Sequence, residues 1–291
     1  MPTDIMSGKR LDGHAIVERI KAKLAEELQR LGGAVTPTLA SIQVGDQAAS
    51  SLFVRAQARH AQGLGIAVRT VRVPQAASQQ ELEARIRELN VDADVHGIFV
   101  QNPLPAHLDA QRISAAIDPA KDVEGIHPQN SARRFFGRGR IGSCTALAVM
   151  ELIEATGVDL KGKEAVVIGH SEIVGRPVTM LLLDALATVT VCHVGTTEAG
   201  RLTDHVRRAE VLVVAVGRPR MIRGDWIKPG AIVIDVGINV VDGKVVGDVD
   251  YDAAAKRASF ITPVPGGVGP VTVVMVLHNL IEAFKQQRGA R

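Results

Sequence analysis

The stretch Val167-Ile-Gly-His-Ser-Glu-Ile-Val-Gly-Arg-Pro177 constrains this chain more than any other. An apolar strand breaks at Gly169, turns through a small polar residue and enters a helix behind a second glycine. Gly169 permits the tight turn, Ser171 is small enough for backbone to approach a pyrophosphate, and Gly175 lets the helix pack close to its strand. Pro177 suits a first helical turn, where its missing N–H costs nothing. The usual dinucleotide fingerprint carries glycine at its second position and a different spacing. An ordinary strand-to-helix turn of an α/β domain therefore stands beside the nucleotide reading at this point.

The surrounding pattern predicts α/β architecture in two domains. Ile16, Ile20, Leu24 and Leu28 recur at helical spacing from Asp12, and Gly32-Gly33 closes that helix. Strands are expected at Thr38 to Val44, Ala67 to Val73 and Val95 to Val100, separated by helices around Ser51 to Leu64 and Ser78 to Leu89. That alternation implies a parallel sheet. Gln101 to Arg140 reads as a loop region broken by Pro and Gly, at the strand ends where α/β proteins place ligands. A helix from about Thr145 to Ala155 leads into a Rossmann-like half with a parallel sheet. Its strands are expected near Glu164 to Ile168, Val189 to His193, Val211 to Val216 and Ala231 to Val236. Crossover helices are expected behind Gly175 and at Thr197 to Arg208, and Asp242-Gly243 signals a hairpin. The domains are drawn as 1–144, catalytic, and 145–291, dinucleotide-binding, with the final helix (271–291) packing on the body or on the first domain.

Composition narrows the function classes. The 291 residues carry a net charge of +3 without a long block of one sign. Arg133, Arg134, Arg138 and Arg140, around Phe135 and Phe136, read as a solvated loop rather than a nucleic-acid face, so no nucleic-acid partner is expected. Cys144 and Cys192 are far apart, without a disulfide framework or a zinc spacing, and scattered histidines suggest no metal. No apolar stretch is read as approaching membrane-spanning length and no leader pattern opens the chain, so the expectation is a cytoplasmic enzyme without a membrane partner.

Seven blocks together resemble the methylenetetrahydrofolate dehydrogenase/cyclohydrolase family, known in bacteria as FolD. They are Val44-Gly-Asp46 with Ser50, Val100-Gln-Asn-Pro-Leu-Pro105, Pro119-Ala-Lys-Asp-Val-Glu-Gly125, the Gly169 block, Ile234-Asp-Val-Gly-Ile238, Gly247-Asp-Val249 and Thr262-Pro-Val-Pro-Gly-Gly-Val-Gly-Pro270. The resemblance implies folate in a cleft between the two domains and hydride transfer from 5,10-methylenetetrahydrofolate to a nicotinamide. Hydrolysis of the methenyl product to 10-formyltetrahydrofolate follows in that family. It also implies a glutamine before the Pro-Leu-Pro loop, matched by Gln101, and a pterin-binding aspartate, matched by Asp122.

Two family positions differ here. Phe53 stands at a stacking tyrosine and Gln57 at a lysine. Phe53 keeps an aromatic face but loses a hydroxyl. Gln57 forms hydrogen bonds but does not titrate near neutrality, and Arg55, two residues away, does not share its helix face. Hydride transfer chiefly needs alignment, whereas hydrolysis needs a positioned acid or base. The expectation is therefore a dehydrogenase whose cyclohydrolase step is weak or lost. A fully bifunctional enzyme, a dehydrogenase for another reduced pterin, and a non-catalytic folate- or nucleotide-binding paralog are the alternatives.

Further departures are Ser143-Cys-Thr-Ala-Leu-Ala148, which lacks the family's prolines, His170 in place of an arginine, and Val194 in place of a serine. Val191-Cys-His-Val194 offers no acid for the ribose hydroxyls, and Arg176 matches an arginine that meets the 2′-phosphate in family members. NADP is therefore expected over NAD. His170 either assists when protonated or fills space. The cofactor pocket is further expected to draw on Thr145, Val174, Val216, Gly217, Ile238 and Thr272. Pro265, Gly266 and Gly267 approach folate or serve a turn before the last helix. Asp122 binds pterin or ties its loop. By family analogy the chain is a homodimer.

Overall fold

The structure, a computed structural model, describes residues 9–32, 36–45 and 48–289, with side chains from 53 onward in the segment that restarts at 48. Asp46 and the Ser50 side chain, quoted in the motif above, lie outside the described residues. The chain divides into two compact units, one formed by 19–144 with 273–289 and the other by 9–18 with 145–272. In chain order the elements of the N-terminal half are β1 (Lys9–Arg10), α1 (Gly13–Arg30), β2 (Thr38–Val44), α2 (Ala48–Gly63), β3 (Ala67–Val73), α3 (Gln79–Val91), β4 (Gly97–Val100), α4 (Ala110–Ala116) and α5 (Pro128–Phe135). There follow α6 (Cys144–Glu154), β5 (Glu164–Ile168), α7 (Gly175–Asp184), β6 (Thr188–Cys192), α8 (Val194–Glu198), α9 (Leu202–Arg208), β7 (Val211–Val214) and β8 (Ile232–Asp235). The last are β9 (Asn239–Val241), β10 (Lys244–Val246), α10 (Tyr251–Ala255), β11 (Phe260–Ile261) and α11 (Val268–Gln287).

In the first unit β3, β2 and β4 form a parallel sheet in that order. Successive side chains of a strand point to opposite faces. One face presents Ala40, Ile42, Val44, Ile98 and Val100 to Leu82 and Ile86 of α3 and Ile113 of α4, in a single apolar cluster. A capping box between Ser78 and Glu81 starts α3. The opposite face, with Ser41 paired to Phe99, is available for a site.

The second unit holds a six-stranded parallel sheet in the order β1-β11-β8-β7-β5-β6. From β5 the chain passes to β6 on one side and reaches β7 on the other. The carboxyl end of β5 is therefore the topological switch point, where open α/β sheets bind ligands. Val166, Ile168, Val214 and Val233 pack with Leu202, Val206 and Ala254 beneath it.

Several elements depart from the sequence expectation. The region 101–140 contains two short helices. Asp109 starts α4 by accepting from the N–H groups of Gln111 and Arg112, and Pro128 opens α5 behind His127, whose ring accepts from Gln129 N–H. Proline and aspartate that look like loop punctuation are here helix starts. The helix expected over Thr197 to Arg208 is instead α8 and α9, parted at Gly200, which has φ of 69°. The strands β1 and β11 are too short for an alternating pattern to reveal. Contrary to the reading of no long apolar stretch, α11 is long and apolar enough to span a membrane by length and composition, but 72% of that window is buried inside the fold. It is a core helix.

Candidate active site

On the site face of the first sheet, the Gln101 amide continues the ladder by donating to Ile42 O at 2.9 Å, which keeps Gln101 in register beyond β4. Its side-chain Nε2 donates to Ser41 Oγ, also at 2.9 Å. Phe53 of α2 stacks on Phe99, with ring centroids 5.6 Å apart and an interplanar angle of 13°. One helical turn on, Gln57 is fully buried, and neither its Nε2 nor its Oε1 meets a hydrogen-bond partner among the described residues. Leaving such groups unpaired costs about 1–3 kcal/mol each. Arg55 and Arg59 are exposed. The structure thus brings Phe53, Gln57 and Gln101 onto one wall formed by β2, β4 and α2, with a neutral amide where a titratable group was sought.

Asp122 is buried and lies beside the end of β4 through an isolated bridge to Ile98. Its Oδ1 accepts from Gly125 N–H at 2.9 Å, and its Oδ2 accepts from His127 N–H at 2.9 Å and from Asn130 Nδ2 at 3.0 Å. These bonds tie the loop into α5, as the loop-tying alternative describes. Glu124, two residues later, was not singled out from the sequence. Loss of solvation pushes its carboxyl up to about 8, the Asp122 charge adds to this, and the bond from Asn102 only partly offsets it. Asn102 Nδ2 reaches Glu124 Oε1 at 3.3 Å, which places Glu124 beside the residue that follows Gln101. A carboxyl that stays protonated near neutrality can donate a proton. The one available signal was its place two residues from Asp122 in the Asp-Val-Glu run, a spacing that keeps both on one side of an extended segment.

Cys144 is buried below this loop. Its Sγ lies 3.1 Å from Val123 O, and desolvation, then Glu124 and Asp122, hold the thiol well above its ordinary value. It is a packing residue rather than a nucleophile. Asn279 of α11 donates to Val123 O at 2.9 Å and Gly142 O at 2.8 Å, fixing the segment from both sides.

In the second unit, the Gly169 block takes the expected course. Gly169 has φ of 108°, and a Cβ there would lie 2.2 Å from Ala215 O. A Cβ on Gly175 would lie 2.1 Å from Gly169 O, so this glycine is the close helix-to-strand contact. Ser171 adds a role beyond small size, because its Oγ accepts from Val174 N–H at 3.2 Å at the start of α7. Val174 itself contributes no side-chain cap. His170, at the end of β5, and His193, at the end of β6, face one another with ring centroids 5.3 Å apart. Both are exposed, as is Arg176, which stands 3.5 Å from Glu172.

The loop after β7 completes this half. Asp248 Oδ2 accepts from Val216 N–H at 2.7 Å and Gly217 N–H at 3.0 Å, and Oδ1 accepts from Arg218 N–H at 2.8 Å. Gly217 has φ of 63° with open space where a Cβ would sit. Ile238 is exposed. Thr145 is half-buried in the first turn of α6, and Thr272 Oγ1 bonds within α11 to Val268 O at 3.1 Å. Pro265, Gly266 and Gly267 form the turn before α11, held by the Gly13 N–H to Gly266 O bond of 2.8 Å. The close backbone approaches at Gly169 and Gly175, the open space at Gly217 and the absence of an acid at the end of β6 fit a dinucleotide.

The catalytic-domain profile described as "Tetrahydrofolate dehydrogenase/cyclohydrolase, catalytic domain" matches residues 11–124, and the corresponding NAD(P)-binding domain profile matches residues 143–288. The chain belongs to the tetrahydrofolate dehydrogenase/cyclohydrolase family. It is 49% identical over 277 residues to the bifunctional protein FolD 2 of Geobacter sulfurreducens, covering 94% of this chain and 96% of that one. The crystal structure of the bifunctional enzyme FolD from Campylobacter jejuni is similar at TM-score 0.90 and 43% identity, over 96% of this chain and 99% of that one. The Trypanosoma brucei FolD structure, complexed with NADP cofactor and inhibitor, is similar at TM-score 0.91 and 40% identity, over 97% and 99% of the two chains. Phe53 and Gln57 lie on this wall at the two positions for which the sequence resemblance implies a tyrosine and a lysine.

Proposed function

We propose that this chain oxidises 5,10-methylenetetrahydrofolate with NADP and hydrolyses the methenyl product slowly. NADP, when bound, supplies the hydride acceptor. The chain's own residues then have to hold a flat pterin, keep water from the reacting carbon and leave the developing positive charge uncrowded. Phe53 offers the ring face opposite the one stacked on Phe99, and Gln101 offers an amide oriented by Ser41. Gln57 offers a neutral donor and acceptor that desolvation has left unpaired. Such groups align a reactant without repelling a cation.

The observation that carries the reading is the buried, unpartnered amide of Gln57. Hydrolysis asks for a group that gains and loses a proton, a contribution of about 100-fold to 10,000-fold that an amide does not make. NADPH formation followed by slow methenyl decay, close to the buffer rate, is the expected assay result. Rapid decay at the enzyme's own rate overturns it.

One observation favours the fully bifunctional alternative. Glu124, with its carboxyl pushed up to about 8, is a titratable group near Gln101 that can act as an acid at neutral pH. If hydrolysis is fast and Glu124→Gln abolishes it, Glu124 has taken over the proton transfer. The preference for NADP is supported by Arg176 and by the missing acid at the end of β6, and comparing Kd for NADP and NAD tests it. A homodimer located in the cytoplasm belongs to the same proposal, and light scattering checks the mass.

A further inference from the structure

A charged cavity lies in the first unit, between α5 with its following loop and α11. Its volume is about 380 Å³, within the size range of small-ligand sites. Its walls include Asn130, Arg133, Arg138, Arg140, Glu282 and Lys285. Asn130, Glu282 and Lys285 are buried and make its floor, while the three arginines are exposed and make its rim.

The floor is already organised. Lys285 Nζ donates to Glu282 Oε1 at 2.8 Å and also to Glu27. Burial alone would lower the Lys285 ammonium, but these two carboxylates outweigh it and hold it above the usual lysine value. Glu282 Oε2 takes no hydrogen bond, with Arg140 Nη1 at 3.7 Å. Of the three rim arginines, Arg140 has this carboxylate within ion-pair distance. Among the described residues the Arg133 and Arg138 guanidinium groups have no carboxylate partner, although the backbone bond from Arg138 N to Arg133 O at 2.8 Å sets the two residues side by side. Arg134 fixes the loop by donating from Nη1 to Gly139 O at 2.8 Å.

Like charges gathered at the mouth of a cavity repel one another unless an anion joins them. Guanidinium forks pair bidentately with phosphate and carboxylate oxygens. We propose that this cavity is a binding site for a small, multiply charged oxyanion, carrying two or more phosphate or carboxylate groups and held chiefly by Arg133, Arg138 and Arg140. The site is separate from the Phe53, Gln57 and Gln101 wall and does not rest on the function proposed above.

Calorimetric titration of the full-length chain with tripolyphosphate, and separately with citrate, tests this with and without NADP present. At least one probe is expected to bind equally well beside NADP. Arg133→Ala and Arg138→Ala are each expected to weaken it about tenfold or more, the loss of a charge-assisted bond, while dehydrogenase kcat and KM stay unchanged. Preference for tripolyphosphate identifies a phosphate ligand, and preference for citrate a polycarboxylate. Arg138→Lys should recover part of the affinity, which separates charge from loop packing. Binding of neither probe, displacement by NADP, or affinity indifferent to both alanine substitutions overturns the proposal.

Discussion

The backbone N–H of Asp248 donates to Asp235 Oδ1 at 3.0 Å, so one buried aspartate holds in place another whose own carboxylate organises a loop. Asp235 also accepts from Gly237 and Val249 N–H groups. The neighbouring glycines are required by this pairing, since a Cβ on Gly247 would lie 2.0 Å from Asp235 Oδ2 and one on Gly237 would lie 2.2 Å from the Asp248 carboxyl carbon. Two glycine-aspartate runs on either side of the β9–β10 hairpin therefore make a single brace for the loop 216–218.

Asp248→Asn should loosen that brace. An amide nitrogen cannot accept, so at least one N–H of Val216, Gly217 or Arg218 loses its protein partner in a part-buried place. A loss of about 1–2 kcal/mol in stability by urea unfolding is expected. KM for NADP should rise more than kcat falls, because the chemistry lies elsewhere. An unchanged KM would remove Asp248 from cofactor positioning.

The pH dependence of stability has a definite sign. Burial raises Asp235 to about 7, with its three N–H bonds offsetting only part of the cost. The folded chain thus retains a proton that the unfolded chain has lost once pH exceeds the ordinary carboxylate value. Stability is expected to fall as pH rises from that value towards about 7, and Glu124, raised to about 8, extends the decline. Urea midpoints measured from pH 5 to 9 check this, on the order of the window these groups span. Glu124→Gln should flatten its upper part.

Gln57→Lys is expected to raise the cyclohydrolase rate by about 100-fold or more, the contribution of a placed acid or base. Dehydrogenase kcat should change little. Coupled absorbance assays of methenyl decay read the difference. An unchanged hydrolysis rate in the folded variant would show that Gln57 is not what limits it.

Gly175→Ala places a methyl group where the Gly169 carbonyl already stands. Helix α7 must shift from β5, at a cost of about 1–3 kcal/mol. NADP affinity should fall with it, measured by fluorescence titration, while the wall of Phe53, Gln57 and Gln101 in the other unit, proposed above to hold folate, keeps its affinity for a folate analogue.

Much of the fold was legible because it rests on local rules. Strands β2 and β3 follow from their β-branched runs, the Gly169 turn follows from residues that only one backbone geometry needs, and Phe53 and Gln57 share a helix face by spacing alone. The helices α4 and α5 were missed because Asp109 and Pro128 serve equally well in turns, and only the chain that follows decides which. The significance of Glu124 was hidden for a different reason. Its chemistry comes from lost solvation and from the charge of Asp122, neither of which is written in the residue type.

Local patterning settles the two α/β halves, the nucleotide turn and the neutral side chain at 57, since periodicity, glycine sterics and side-chain chemistry act over a few residues. Folding in three dimensions settles which carboxyls are tied down and which keep a proton, and it brings Asp248 to a loop that ends 30 residues earlier, at Arg218. Burial and long-range hydrogen bonding exist only once distant segments have met.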